Sequence, residues 1–119
     1  MLKSDYVEAA LLFDLYGELL TERQQKVWQL YWSEDWSLAE ISEVQATSRA
    51  AVHDALERSQ HALHEYEHKL GLLESWRARR RALEALRDTL QQMPMNPTWR
   101  ARVWAAFDQV AKEEGLSDV

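Results

Sequence analysis

The stretch SLAEISEVQATSRAAVHDAL, which runs from Ser37 to Leu56, decides the fold. Its length and order are typical of a helix-turn-helix unit, in which a short helix, a three-residue break and a second helix follow one another. Such a unit usually places its second helix in the major groove of DNA. The whole chain nevertheless carries a net charge of −6. Because DNA is a polyanion, this stretch alone does not establish that the protein binds DNA.

The two helices of this unit are expected to pack through a few apolar side chains. These are Leu38, Ile41, Val52 and Leu56, with the small residues Ala39, Ser42 and Ala55 allowing close approach. The turn itself holds Gln45, Ala46 and Thr47 and supplies no large apolar anchor. We therefore expect Val44 to rotate inward. The exposed face of the second helix would show Arg49, Ala50, His53, Asp54 and Glu57.

Capping residues predict an all-α chain of six helices. Thr21 with Gln24, and Ser37 with Glu40, form two capping boxes, and Gly71 is a plausible left-handed stop. The expected helices run from about Ser4 to Leu19, Glu22 to Ser33, Ser37 to the turn, Ser48 to Leu70, Leu73 to Gln92, and Asn96 with Pro97 to Gly115. We predict a helix-turn-helix domain over residues 1–71 with a long fourth helix, followed by a helical extension over residues 72–119.

The fourth helix carries an apolar seam with alternating four- and three-residue spacing. Its members are Val52, Leu56, Ser59, Leu63, Tyr66, Leu70 and Leu73, and the last two helices carry similar stripes. We expect this seam and the stripes of the last two helices together to exceed what the first four helices can cover, which favours a homodimer. The alternative is that the last two helices fold back over the seam within one chain.

The tryptophans and charges narrow the function classes. Trp28, Trp32 and Trp36 lie four residues apart, a spacing that predicts core rather than a base-stacking platform. Residues 1–70 hold six basic and thirteen acidic residues, and residues 71–119 hold eight and seven. Strong duplex binding by the first part is therefore disfavoured. The chain has no cysteine, and its acidic start argues against a membrane segment, so we expect a cytoplasmic protein.

His64-Glu65-Tyr66-Glu67-His68 matches the HExxH zinc signature. If the seam faces inward, the histidines at positions 61, 64 and 68 lie on the outer face of the same helix. A catalytic zinc needs a third ligand and a cleft that excludes water. We interpret the motif as a chance match, and we expect no enzyme activity, no catalytic or metal site and no cofactor.

Two long stretches carry a family resemblance. LFDLYGELLTERQQKVWQLYWSEDWSLAEISE and TSRAAVHDALERSQHALHEYEHKLGL together resemble the YlxM family of small bacterial proteins over Leu12 to about Leu72. That family is similar to region 4 of the sigma-70 factors, whose LT-x-x-Q and SL-x-EI-x-E…SR-x-x-V patterns recur here. The resemblance implies an all-helical helix-turn-helix protein, suspected of acting in the signal recognition particle pathway, with no catalytic residues.

Three functions follow from these observations. The first is a regulatory binding protein that contacts the RNA or the GTPase of the signal recognition particle. The second is a sequence-specific DNA-binding transcription regulator, and the third is an oligomeric protein-interaction scaffold. The candidate nucleic-acid-binding residues are Ser48, Arg49, His53 and Arg58 on the fourth helix and Arg77, Arg80 and Arg81 on the fifth. The alternative for the arginines of the fifth helix is a solvated face paired with Glu74, Glu84 and Asp88.

Overall fold

Residues 6–115 are described by the structure, which is a computed structural model. They form the six α-helices α1 (Tyr6–Tyr16), α2 (Glu22–Trp28), α3 (Leu38–Val44), α4 (Arg49–Leu70), α5 (Leu72–Gln92) and α6 (Pro97–Glu113). No strand lies within this range, and the all-α fold class is confirmed. The expected start of the first helix at Ser4 lies outside the described residues. The chain divides into two compact units, Met1–Leu73 and Glu74–Val119.

Both predicted capping boxes are present. The Thr21 hydroxyl accepts from the Gln24 backbone N–H at 3.1 Å, and the Gln24 side chain accepts from the Thr21 backbone N–H at 3.0 Å. Ser37 and Glu40 form the same pair of bonds, at 3.1 and 2.9 Å. Their hydrogen bonds lower the pKa of the Glu40 carboxyl. Each box satisfies two N–H groups that a helix start would otherwise leave without a partner.

The other predicted helix ends are confirmed as well. The Ser48 hydroxyl caps α4 by accepting from the Ala51 backbone N–H at 3.0 Å. Asn96 caps α6, whose first residue is Pro97. Gly71 ends α4 with φ at 63°, a left-handed conformation that a glycine adopts without a Cβ clash.

The first two helices change type before they end. A 3-10 turn follows α1 over Gly17–Leu19, and a π-helical turn follows α2 over Gln29–Ser33. The expected ends at Leu19 and Ser33 are therefore right, but the last turns are not α-helical. The π turn keeps Leu30 and Trp32 buried together, and the ring centroids of Trp28 and Trp32 lie 5.7 Å apart. Burial of Trp28 and Trp32 confirms their prediction as core, whereas Trp36 is half-buried.

The apolar seam of α4 forms the core of the first unit. Val52, Leu56, Ser59 and Leu63 are each at most 2 % exposed, and α4 contacts α1, α2 and α3. The buried Ser59 hydroxyl donates to the Ala55 carbonyl at 2.7 Å. Because the hydroxyl has this partner, its burial in an apolar core costs little stability. Three helices therefore cover the seam as far as Leu63, whereas Leu70 is 58 % exposed.

The turn of the helix-turn-helix unit differs from the expectation in one respect. Val44 is 64 % exposed and does not rotate inward. Ile41 and Ser42 already fill the buried face of α3, and the Ser42 hydroxyl donates to the Ala39 carbonyl at 2.8 Å. Val44 is the last residue of α3. The chain then reverses through Ala46, which has a left-handed φ of 52°.

A buried tyrosine joins the end of α4 to the start of α5. The Tyr16 hydroxyl donates to Glu67 Oε1 at 2.7 Å and accepts from the Leu72 backbone N–H at 3.1 Å. The same carboxylate oxygen accepts from the Leu73 backbone N–H at 2.9 Å. Tyr16 and Glu67 therefore satisfy two of the N–H groups at the start of α5, and they fix the chain on both sides of Gly71.

The second unit is a hairpin of two helices with few buried residues. Within residues 74–115 only Phe107 and Ala111 are buried, and Leu83, Leu90 and Trp104 pack against them in part. Arg79 Nε lies 3.2 Å from both carboxylate oxygens of Glu114, so it joins α5 to the end of α6.

We predict that Ala46→Gly stabilises the protein. An L-residue in the left-handed region costs about 1–2 kcal/mol, whereas glycine adds about 0.5–1 kcal/mol of unfolded-state entropy. The free energy of unfolding should therefore rise by up to about 1 kcal/mol, as measured by urea denaturation. Ala50→Gly is the matched control, because Ala50 lies exposed inside α4 and its replacement should lower stability. A loss of stability in both variants would contradict the prediction.

We predict that Tyr16→Phe lowers the free energy of unfolding by about 1–3 kcal/mol at neutral pH, because a charge-assisted hydrogen bond is lost and the Leu72 N–H loses its acceptor. Burial raises the pKa of the Tyr16 phenol, and its hydrogen bond to Glu67 raises it further, while the bond from the Leu72 N–H lowers it. The folded protein thus holds this proton more tightly than the unfolded chain.

The contribution of Tyr16 to the free energy of unfolding should therefore be fully present below the ordinary tyrosine pKa. It should be lost as the pH rises through the raised pKa of the folded protein. Urea denaturation at neutral and at alkaline pH measures both effects. The gap between the unsubstituted protein and Tyr16→Phe should narrow at alkaline pH, and a gap that widens there would be the opposite result.

Candidate nucleic-acid interface

The second helix of the helix-turn-helix unit presents the predicted face to solvent. Ser48, Arg49 and His53 are all exposed at the start of α4, while Val52 on the opposite side is completely buried. Because the Ser48 hydroxyl already accepts from a backbone N–H, its role in this structure is to fix the helix start. The described contacts give Arg49 no ion pair, so its guanidinium is available to a phosphate or a base edge.

The other two candidate side chains of this face, His53 and Arg58, have carboxylates beside them. Arg58 Nε lies 2.9 Å from Asp54 Oδ2, and both side chains are largely exposed. His53 Nε2 lies 3.6 Å from Glu57 Oε1. Exposed pairs of this kind contribute about 0–1 kcal/mol, so a phosphate could displace the carboxylate from Arg58, but the two acids would still repel it.

A third arginine, which the sequence did not predict, lies beside this face. Arg23, near the start of α2, and Arg58 on α4 line the same groove of about 260 Å³, together with Asp54. Nothing in the local sequence distinguishes Arg23 from other exposed cations. Only the fold reveals it, because packing brings the start of α2, with the Thr21 cap, into the same groove as α4.

The arginines of α5 form a separate surface in the second unit. Arg80 and Arg81 lie three and four residues after Arg77, which places all three on one side of the helix. We call these three residues the arginine surface. Arg77 and Arg80 are half-buried and Arg81 is exposed. Among residues 6–115, Arg77 forms no ion pair.

Carboxylates flank the other two members of the arginine surface. Arg80 Nε lies 3.3 Å from Glu84 Oε1, and its guanidinium carbon lies 5.3 Å from the centre of the Trp76 ring. Arg81 Nη2 lies 3.5 Å from Glu74 Oε1. The alternative of a carboxylate-paired face is therefore observed for these two arginines. Stacking on Trp76 also orients the Arg80 guanidinium, a geometry that suits phosphate recognition as well.

The HExxH residues lie where the sequence placed them. His61, His64 and His68 are exposed on α4, and the part of the chain that the structure describes holds no group of three metal-binding side chains. His64 and Glu8 lie at a cavity of about 140 Å³ whose wall includes Trp28 and Trp32. That volume is below the size of ordinary substrate pockets. No helix of residues 6–115 has the length and apolar content of a membrane span.

Comparison with known proteins identifies relatives along most of the chain. Residues 3–98 match the model of the UPF0122 family, described as helix-turn-helix proteins that are YlxM / p13 like. A UPF0122 protein of Symbiobacterium thermophilum is 45 % identical over 97 residues, which cover 82 % of this chain and 91 % of the relative. A UPF0122 protein of Caldanaerobacter subterraneus is 37 % identical over 89 residues, with 75 % and 76 % covered. One from Geobacillus kaustophilus is 42 % identical over 81 residues, with 68 % and 74 % covered.

We predict that the HExxH residues are needed neither for the stability of the protein nor for metal binding. His64→Ala and Glu65→Ala should each change the free energy of unfolding by at most about 0.5 kcal/mol, because exposed substitutions away from special contacts usually matter little. The measurements are urea denaturation and elemental analysis of protein purified without added metal. Stoichiometric zinc that is lost in the His64→Ala variant would overturn this interpretation.

Proposed function

The chain belongs to the UPF0122 family of YlxM / p13-like helix-turn-helix proteins, and on that premise we propose that it is a non-enzymatic regulatory protein that binds nucleic acid. We further propose that it acts in the signal recognition particle pathway and contacts the RNA of that particle. Family membership supports the first statement, and the resemblance to YlxM proteins supports the second. Contact with the GTPase of the particle is a second arrangement within the same pathway.

The observation that carries the proposal is the arginine surface. Three guanidinium groups share one side of α5, and the described contacts leave Arg77 without a carboxylate. Two of the three have carboxylates at 3.3 and 3.5 Å, pairs weak enough for a phosphate to replace. A row of cations on a helix side contacts the nucleic-acid backbone and reads its shape, and RNA helices are recognised mostly in this way.

The face of the helix-turn-helix unit supports only a secondary contact. On this face Arg58 pairs with Asp54, and His53 lies beside Glu57. Among the described candidate residues of the face, Arg49 is the basic side chain without a carboxylate beside it. Base readout in the major groove depends on several donors and acceptors that meet base edges. A face with one such arginine and two acids is a weak reader, so we assign it a supporting role.

A sequence-specific DNA-binding regulator is the second candidate function. The observation that favours it is the groove between α2 and α4, where Arg23 and Arg58 lie beside the exposed start of α4. Phosphate contacts from these two arginines would position the helix while Arg49 reads a base. The two candidates therefore differ in which arginines carry the binding energy.

We predict that removal of the arginine surface weakens binding to signal recognition particle RNA more than removal of Arg49 and Arg58. The variants are Arg77→Gln/Arg80→Gln/Arg81→Gln and Arg49→Gln/Arg58→Gln, because glutamine keeps the helix propensity and removes the charge. Fluorescence anisotropy across a salt series measures both. Affinity should fall roughly 10- to 100-fold in the triple variant, and the slope of log K against log salt should become shallower by about 0.7–0.9 per lost contact.

Lys69→Gln is the control, since Lys69 is an exposed cation on α4 outside both surfaces, and it should leave the salt slope almost unchanged. Circular dichroism confirms that each variant is folded. If Arg49→Gln alone abolishes binding to one defined DNA duplex while the triple variant still binds it, the protein is a groove reader and the RNA proposal is wrong.

A further inference from the structure

An apolar groove runs along the hairpin of the second unit. Its volume is about 380 Å³, and it is lined by apolar side chains that include Leu83, Leu86 and Leu90 of α5 and Val103, Phe107 and Val110 of α6. Leu86 and Val110 are 47 % and 45 % exposed. Two helices cannot bury both of their apolar stripes on each other alone, so such a groove is a surface for a further helix.

The groove residues of α6 form a pattern that is symmetric along the helix. Val103 and Val110 lie at equal distances on either side of the midpoint between Ala106 and Phe107. If a second α6 runs antiparallel and crosses at this midpoint, each Val103 faces a Val110 of the other copy. Identical surfaces related by a two-fold axis meet in this way in symmetric dimers.

The two halves of α6 also differ in charge, and Arg100 and Glu113 lie at equal distances from the same midpoint. The first half of the helix carries Arg100 and Arg102, whereas the second half and its cap carry Asp108, Lys112, Glu113 and Glu114. This order opposes the helix dipole, which favours acids at the start of a helix and bases at its end. An antiparallel copy would place each basic half beside an acidic half and would align the two helix dipoles favourably.

Of these six charges only Glu114 forms an ion pair within residues 6–115. Glu114 is paired with Arg79, and the Arg102 guanidinium carbon lies 4.7 Å from the centre of the Trp99 ring. The Arg100 guanidinium donates to the Met93 carbonyl at 3.3 Å. Within residues 6–115 neither Arg100 nor Glu113 has an ion pair. They lie thirteen residues apart, or about 20 Å along the helix, and cannot reach each other in one chain.

We propose that the chain forms a two-fold symmetric homodimer in which α6 pairs antiparallel with α6 of a second copy. Val103 of each copy faces Val110 of the other, Arg100 faces Glu113 twice, and the leucines of α5 close the groove into a four-helix bundle. The family match ends at residue 98, so the proposal rests on this chain's own α6. It does not depend on the proposed function.

Sedimentation of the full chain from low to high micromolar concentration tests the assembly itself. We expect a reversible monomer–dimer equilibrium, and a monomer at the highest concentration would overturn the proposal, as would a trimer or tetramer. The pairing of charges is tested by Arg100→Glu, by Glu113→Arg and by the double variant. Each single change places like charges together twice and should weaken the dimer about tenfold, while the double variant should restore it to within about threefold.

The chain has no cysteine, so a single introduced thiol gives an unambiguous test of the crossing point. Ala106→Cys lies next to the proposed two-fold axis and should form a disulfide-linked dimer under mild oxidation. Ala105→Cys is the matched control, because Ala105 is also exposed on α6 but is absent from the groove. Equal cross-linking at both positions, or a double charge variant as weak as the single ones, would reject the antiparallel arrangement.

Discussion

Burial of one face of α4 is the constraint on which the first unit depends. Val52, Leu56 and Leu63 are almost inaccessible to solvent, and α1, α2 and α3 are the helices that cover them. Within residues 6–115 none of these three helices exceeds eleven residues, a length at which an isolated helix is marginal in water. Their packing against the apolar face of α4 therefore stabilises them. The same packing orients the opposite, exposed face of α4, so the position of Arg49 follows from the core beneath it.

The sequence predicted what depends on neighbours along the chain and missed what depends on distant residues. Caps such as Thr21, Ser48 and Asn96 are confirmed because a capping hydrogen bond spans only three residues. The exposure of Val44 was predicted wrongly, since it depends on how Ile41 and Ser42 fill the contact with α4. The hydrogen bond from Tyr16 to Glu67 joins residues that are 51 positions apart, and no local sequence pattern predicts it. For the candidate interface the sequence predicted the basic residues on the exposed helix faces. The proximity of Arg23 to Arg58 could be seen only in the folded structure.

Carboxylates decide how the candidate surfaces can work. Arg58, Arg80 and Arg81 each have an acid within 3.5 Å, so a nucleic acid must replace an internal counter-ion at three of the candidate positions. Each replacement exchanges one exposed ion pair for another and gains little by itself. Net binding energy must then come from released counterions and from candidate arginines without a carboxylate, which among the described residues are Arg77 and Arg49. Binding should therefore be modest and strongly dependent on salt.

A modest binder gains most from acting in pairs. Two copies of one surface on a single particle convert the second contact into an intramolecular event, which can raise the apparent affinity by roughly 10²–10⁴ without any new kind of contact. The hairpin of α5 and α6 offers both parts of such an arrangement within one short unit. Its groove carries Leu86 and Val110 half exposed, and the arginine surface lies on α5 itself. A dimer formed through α6 would thus supply two arginine surfaces, and the weakness of each would be an advantage where a regulator has to leave its target.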